Sequence, residues 1–174
     1  MNALTFSLTR VSAWRSLLDI ATSWPDYTPE ELESKLDEAV KDGTVEKCIV
    51  RGLPLFRLTQ VALPVGHGKT LDELHGSYPQ VDREAFSLLL EYLVSKGSAA
   101  AKEEGGLRVY SRRELPQVML NAREADDFQR DMQDIDPDHL AWLIDQGMQE
   151  KRLISYEQEG RTFYMSRGHA VANV

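Results

Sequence analysis

An internal repeat constrains the fold of this chain more than any other feature of its sequence. Three short segments, 28–30, 82–84 and 136–138, are evenly spaced along the chain and begin with Thr or Asp. Both residue types are strong helix N-caps, because a side-chain oxygen accepts a hydrogen bond from a free amide of the first turn. Proline follows in two of the segments, and it loses no hydrogen bond at the first helical position. The pattern predicts three helices that begin at equivalent places.

The same register continues through these helices and beyond them. Apolar residues recur in steps of four, the spacing that places side chains on one face of a helix. A glycine then recurs at the tip of a predicted hairpin, where the turn needs a positive φ, and an aromatic residue follows it. The recurring positions are Leu32, Phe86 and Leu140; Leu36, Leu90 and Ile144; Val40, Val94 and Met148; Gly52, Gly106 and Gly160; and Phe56, Tyr110 and Tyr164.

Each helix and hairpin is preceded by another helical stretch, at 12–23, 71–77 and 114–133. Two of the repeated helices are followed by Gly43 and Gly97, where helices favour a left-handed residue, and the third has Lys151 there. We therefore predict a helix-rich α+β chain of three tandem helix–helix–hairpin units at a 54-residue period. The predicted units span residues 1–59, 60–113 and 114–174.

A helix, a second amphipathic helix and a hairpin that closes on an aromatic residue resemble a winged-helix unit. The stretch from Tyr27 to Thr59 is similar to the last helix and wing of such a unit, and the other two units follow it. Acidic tandem winged-helix chains resemble non-catalytic adaptors, such as the KITE subunits of SMC–kleisin complexes and the winged-helix adaptors of membrane-sorting complexes. The resemblance implies an accessory subunit that binds protein partners in a larger machine. A generic helix–hairpin solenoid is the alternative fold.

Composition and charge limit the classes of protein to which this chain can belong. The formal net charge is −8, which counts against a dominant nucleic-acid footprint because such footprints are usually basic. No apolar run reaches the length of about 18 residues that a membrane span needs, and the first thirty residues lack the apolar core of a signal peptide. We expect a cytoplasmic protein without membrane insertion. Cys48 is the single cysteine, and we expect it to be buried in a strand.

The charges differ between the repeated helices and the hairpins. Residues 28–43 carry six acidic residues against two lysines, whereas each hairpin has an excess of cations. An acidic helix would repel a phosphate backbone, so groove reading by these helices is not expected. The cations either pair within the chain, meet an acidic protein partner, or contact nucleic acid. The last alternative would make the chain a DNA-binding regulator with the following residues: Lys47, Arg51, Arg57, Arg108, Arg112, Arg113, Arg152 and Arg161.

Apolar side chains also fall on the helix faces that point away from the predicted core. Trp142 lies about 200° around its helix from Leu140, Ile144 and Met148, at about 100° per residue. In the second unit Leu88 and Tyr92 occupy the corresponding face. These residues either pack between units or bind another chain. We take Leu88, Tyr92 and Trp142 as candidate partner-binding residues, because exposed aromatic side chains are typical interface anchors.

No catalytic, cofactor or metal site is predicted. The loop at 63–70 ends in Gly68-Lys69-Thr70 but has Leu63 where a phosphate-binding loop needs its first glycine. The acidic run at 134–138 has His139 in place of the central glycine of a calcium loop. The histidines form no pair at metal-ligand spacing. The sequence thus predicts a non-enzymatic interaction subunit with no cofactor.

Overall fold

The computed structural model describes residues 13–113 and 122–167, and these form a mixed α+β structure. The helices are α1 (Leu17–Ser23), α2 (Pro29–Lys41), α3 (Leu71–His75), α4 (Arg83–Ser95), α5 (Ala125–Asp131) and α6 (Pro137–Gln149). The strands are β1 (Arg15–Ser16), β2 (Val45–Val50), β3 (Leu53–Leu58), β4 (Lys69–Thr70), β5 (Ala99–Glu104), β6 (Leu107–Arg112), β7 (Leu153–Gln158) and β8 (Arg161–Ser166).

Equivalent elements recur at a constant spacing along the chain, since α2, α4 and α6 begin at Pro29, Arg83 and Pro137. These helices each have 13 residues, and every hairpin strand has six. We call residues 15–58 repeat 1, residues 69–112 repeat 2 and residues 123–166 repeat 3. The structure adds short strands before the first helix of repeats 1 and 2, which the sequence did not suggest. Part of the helical stretch predicted at 114–133 lies outside the described residues, and α5 covers only its end.

The predicted helix starts are confirmed in atomic detail. Thr28 caps α2 in a reciprocal pair with Glu31, in which each side chain accepts from the other residue's backbone amide. Asp82 accepts from the amides of Glu84 and Ala85 at 3.0 Å, and Asp136 caps α6 through the amide of Asp138. The N-cap chemistry read from the sequence therefore sets where all three helices begin.

The second residue after each of these helices is left-handed, with φ of 83° at Gly43, 82° at Gly97 and 58° at Lys151. At Gly43 a Cβ would lie 2.7 Å from the carbonyl oxygen of Gln80, and the amide of Asp82 donates to the carbonyl of Asp42. Glycine is thus needed at Gly43 for two reasons, the positive φ and this close approach. Lys151 is exposed, so only the backbone strain applies to it.

The hairpins belong to three small antiparallel sheets. In repeat 1 the strand order is β1-β3-β2, and in repeat 2 it is β4-β6-β5. In repeat 3 β7 pairs with β8, and Arg123 forms an isolated bridge with Tyr164 on the other side of β8. The first hairpin turns at Arg51 and Gly52, both at positive φ, as a two-residue turn requires. Among the described residues, the first strand of each hairpin is therefore an edge strand.

The chain divides into two compact units. The N-terminal unit contains the described residues up to Ser95 together with Ala99–Arg112, and the C-terminal unit contains Lys96–Ser98 and the described residues from Arg113 onward. In the N-terminal unit the repeated apolar positions Leu32, Leu36 and Phe56 are fully buried, as are Phe86 and Leu90. In the C-terminal unit Phe128, Ile135, Leu140 and Ile144 are buried. The division into three units stays a prediction.

The helices of the described ranges are all too short or too polar to span a lipid bilayer.

Candidate functional site

Most of the basic hairpin residues are already paired with carboxylates of the same chain. Five of the eight candidates make ion pairs: Lys47 with Asp37 at 3.0 Å, Arg57 with Glu46 at 2.6 Å, Arg108 with Glu91 at 2.8 Å, Arg113 with Asp134 at 2.7 Å and Arg161 with Glu124 at 3.2 Å. Arg112 is only 7% exposed, which does not suit a contact with phosphate. Arg51 and Arg152 are exposed. The arrangement matches intramolecular pairing, the first of the three alternatives for these charges.

The best organised polar cluster joins α4 to β6 in repeat 2. The guanidinium of Arg108 donates to both carboxylate oxygens of Glu91 at 2.8 and 2.9 Å, and the hydroxyl of Tyr110 donates to Glu91 at 2.6 Å. The hydrogen bonds from Arg108, and then from Tyr110, hold the pKa of Glu91 below its usual value. Partial burial, and then the bond to Glu91, raises the pKa of Tyr110.

This cluster is suited to joining two elements rather than to proton transfer. A carboxylate that is kept ionised by two donors is a poor general base at neutral pH. Asp37, which occupies in repeat 1 the position of Glu91, makes a helix-to-hairpin contact of the same kind with Lys47. Pairing between the long helix and the hairpin is therefore common to both repeats. Within the described ranges no group of three or more His, Cys, Asp or Glu side chains is arranged to hold a metal ion.

The three candidate partner-binding residues differ in their exposure. Leu88 is exposed on α4, and Tyr92, one turn later, is half-buried. Trp142 is only 4% exposed, which matches packing within the chain, the first of the two alternatives for this residue, rather than an exposed anchor. The reason is that α6 buries side chains on most of its circumference, including His139 and Leu143 as well as the predicted apolar stripe. The prediction of one buried face and one exposed face therefore does not describe α6.

An apolar patch on the first sheet was not predicted. The side chains of Val45, Phe56 and Leu58 point to the core, so the alternate residues of β2 and β3 face outward. Cross-strand pairs Cys48–Leu55 and Val50–Leu53 lie side by side on that outward face. We call these four residues the outer apolar face. Val50 is 50% exposed and Leu53 64% exposed, while Cys48 and Leu55 are half-buried. The expected burial of Cys48 is thus only partial.

A charged and aromatic rim borders the outer apolar face. The next cross-strand pair along the sheet is Glu46–Arg57, whose side chains form an ion pair. The guanidinium of Arg57 also lies over the ring of Trp14, 4.4 Å from its centroid, and Trp14 is itself exposed. A cation stacked on an aromatic face is held in place by both electrostatics and contact. The face therefore has a fixed polar border on one side and the hairpin tip on the other.

The other repeats carry polar residues at the last two positions of their first hairpin strand. Ile49 and Val50 correspond to Glu103 and Glu104 in repeat 2, and to Glu157 and Gln158 in repeat 3. Ile49 is 72% exposed although it is apolar. The period itself was the signal that could have found this patch, because comparing the repeats position by position shows where repeat 1 departs from the others. The positions that all three repeats share do not reveal such departures.

A scan of the sequence against protein-family models and against curated proteins finds no match.

Proposed function

We propose that this protein is a non-catalytic interaction subunit of a larger cytoplasmic complex, and that a protein partner binds to the outer apolar face of repeat 1. The observation that carries the proposal is the exposure of Val50 beside Leu53, because repeats 2 and 3 have Glu104 and Gln158 at the position of Val50. Exposed apolar residues that form a contiguous patch with a polar rim are typical of protein interaction sites.

The residues of the face fit the requirements of a protein interface. Aliphatic side chains at its centre lose water on contact, at about 25 cal/mol per Å² of apolar surface. Trp14 and Arg57 at the rim are of the types that contribute most to interface energies. Because Arg57 is held between Glu46 and Trp14, little side-chain entropy is lost when a partner covers it. Leu88 and Tyr92 on α4 provide a second candidate contact in the N-terminal unit.

The scaffold of the proposal is three tandem winged-helix units. The support is the order of elements in repeats 1 and 2, where a short strand, a helix, a second longer helix and a hairpin follow one another and the short strand pairs with the hairpin. In winged-helix terms α2, α4 and α6 would be the last helices and the hairpins the wings. Since α2 is acidic and the cations of the hairpins are largely paired, such units are suited to protein contacts rather than to DNA grooves.

The experiment compares two leucines at equivalent positions of the repeats. Leu53 and Leu107 are both exposed, at 64% and 60%, but only Leu53 lies beside the other apolar residues of the face. Tagged wild type, Leu53→Glu and Leu107→Glu would be used to capture partners from the native host with and without nuclease. We expect the same stoichiometric protein with wild type and Leu107→Glu, and a reduction of about tenfold or more with Leu53→Glu.

Two results would contradict the proposal. Equal capture by Leu53→Glu and wild type would show that the outer apolar face is not the docking site. Recovery of nucleic acid, with all protein partners lost on digestion, would favour the DNA-binding alternative instead.

A further inference from the structure

The edge strand β2 offers its backbone to another strand. The amide of Thr59 donates to the carbonyl of Thr44, so this pair belongs to the hydrogen-bonded set of the β2–β3 ladder. In an antiparallel ladder this set alternates, and Glu46, Cys48 and Val50 therefore direct their amides and carbonyls to β3. The amides and carbonyls of Val45, Lys47 and Ile49 point away from β3, and β2 lies at the edge of the sheet that the described residues form. Val45 is buried, so Lys47 and Ile49 are the residues of this edge that are open to another strand.

The edge strands of repeats 2 and 3 carry charges that discourage such pairing, and the end of β2 does not. Exposed edges are normally protected by charged side chains. The last three residues of β5 are Lys102, Glu103 and Glu104, and β7 has Glu157 at the position of Glu103. The last three residues of β2 are Cys48, Ile49 and Val50. Of the three hairpins, only that of repeat 1 has an apolar end to its edge strand.

The charges that β2 does carry are paired within its own chain. The carboxylate of Glu46 binds Arg57, and the ammonium of Lys47 binds Asp37 and lies 5.3 Å from the centroid of the Phe56 ring. A strand that is added to this edge therefore meets no unpaired charge between Val45 and Val50. The edge carries no net charge and ends in apolar residues. A second copy of β2 has the same properties and is therefore compatible with this edge.

We propose that β2 pairs antiparallel with β2 of a second copy of this chain, about a two-fold axis at Cys48. The residues whose amides and carbonyls point to the free edge, such as Lys47 and Ile49, must lie opposite one another in the two copies. This requirement leaves few registers. Centring the pair on Lys47 would oppose two ammonium groups, and centring it on Ile49 would place Lys47 opposite Arg51. With the axis at Cys48, Lys47 lies opposite Ile49 and Glu46 opposite Val50, so no like charges meet.

The pairing joins two three-stranded sheets into one and leaves their faces open. The outer apolar faces of the two copies then lie side by side, and the dimer would present a partner with two adjacent sites. Self-pairing is independent of the proposed function, because it uses the backbone edge of β2 whereas the docking face uses side chains of β2 and β3. Leu53→Glu tests the face, and a substitution at Ile49 tests the edge.

The test is the oligomeric state of the purified protein by sedimentation and light scattering over a range of micromolar concentrations. We expect a dimer for wild type and a monomer for Ile49→Glu, which places at β2 the residue type found at this position in repeats 2 and 3. Leu107→Glu is the matched control and should remain a dimer. Because each copy has a net charge of −8, the dimer should become more stable as the salt concentration rises.

Two measurements keep the test independent of any folding defect in the variant. In wild type, the amides of Lys47 and Ile49 should exchange with solvent faster on dilution, while those of Glu46, Cys48 and Val50 stay protected. A mild oxidant, which removes two electrons and two protons from a pair of thiols, should link Cys48 to Cys48, since a non-hydrogen-bonded cross-strand pair brings Cα atoms to about 4.5 Å, within the range that a disulfide spans.

A protein that stays monomeric at all concentrations overturns the proposal. So does a dimer that persists in Ile49→Glu without a Cys48 cross-link, because it uses another surface. Association that appears only with a different protein, and protects the amides of Lys47 and Ile49, would assign the edge to a partner strand and would equally reject the self-pairing.

Discussion

At the scale of single residues, the environment of His139 shows how an ordinary side chain acquires an unusual property. His139 lies on α6 and is buried, and its Nδ1 is 2.8 Å from the hydroxyl oxygen of Ser98. Burial lowers the pKa of His139 to about 4. The negative charge of Asp136 opposes this shift with a smaller effect, and the positive charge of Lys96 adds slightly to it. The equivalent positions in repeats 1 and 2 are Glu31 and Ala85. The buried imidazole is therefore peculiar to repeat 3.

We predict that His139 makes the stability of the protein fall on acidification between pH 6.5 and pH 4. The folded state holds the imidazole neutral in this range while the unfolded state binds a proton, so the free energy of unfolding decreases as pH falls. The loss reaches about 3 kcal/mol below pH 4, at about 1.4 kcal/mol per pKa unit. Denaturant titrations of wild type and His139→Ala at pH 7 and pH 4.5 measure it. An equal acid sensitivity in both proteins would contradict the assignment.

At the scale of elements, the ends of the repeated helices decide how the next segment packs. Gly43 follows α2 at a positive φ, with the backbone of Gln80 and Val81 against its Cα. Gly97 follows α4, and a Cβ added there would lie 3.2 Å from the carbonyl oxygen of Asp134 and 3.1 Å from the side chain of Ile135. These two residues occupy the positions equivalent to Gln80 and Val81. A glycine with a close neighbour thus follows both helices. Lys151 is the exception, and no such approach requires a glycine there.

We predict that replacing Gly43 by alanine and replacing Lys151 by glycine have opposite effects on the free energy of unfolding. Gly43→Ala should lower the free energy of unfolding by about 2–4 kcal/mol, because it adds left-handed strain and a Cβ 2.7 Å from the oxygen of Gln80. Lys151→Gly should raise it by about 0.5–1 kcal/mol, because it relieves the strain of a non-glycine residue at φ 58°. Thermal or urea unfolding measures both changes. A harmless Gly43→Ala would show that the close approach is not maintained in solution.

The helices and strands also show which sequence signals were sufficient to predict their positions. N-capping residues, steps of four and glycines at turns predicted where α2, α4, α6 and the hairpins lie, because each is set by interactions between residues near in sequence. The short strands β1 and β4 were missed. A strand of this length carries too little pattern to be recognised, and β1 exists because its backbone finds an open edge of β3, a strand that lies beyond two helices and β2 along the chain.

At the scale of the whole molecule, the balance of charge favours the proposed protein-binding function over DNA binding. The net charge is −8, and five of the eight candidate cations are paired with carboxylates of the same chain. Surface ion pairs stabilise a fold by only about 0–1 kcal/mol each. Their effect on recognition is larger, because a guanidinium that is held by a carboxylate no longer replaces counterions on a phosphate backbone.

We predict that the protein does not bind duplex DNA even at low ionic strength. Fluorescence anisotropy of a labelled duplex in about 50 mM salt should show no binding at micromolar protein, where a basic winged-helix domain shows non-specific binding of about 10⁻⁴–10⁻⁶ M even at physiological salt. Glu46→Gln and Glu91→Gln release Arg57 and Arg108 from their partners and should raise the affinity slightly. Tight, salt-sensitive binding by wild type that is lost on neutralising Arg51 and Arg152 would contradict this prediction.

The sequence by itself determined the period, the helix starts and the hairpin turns, because capping, helical spacing and positive-φ glycines act over a few residues. It also limited the charge of the whole molecule. Only the tertiary structure decided which side chains are available. It buried Trp142 and Arg112, paired Arg57 and Arg108, and left Leu53 in solvent. The physical reason is that exposure and ion pairing depend on residues brought together from distant parts of the chain, and no local pattern records those neighbours.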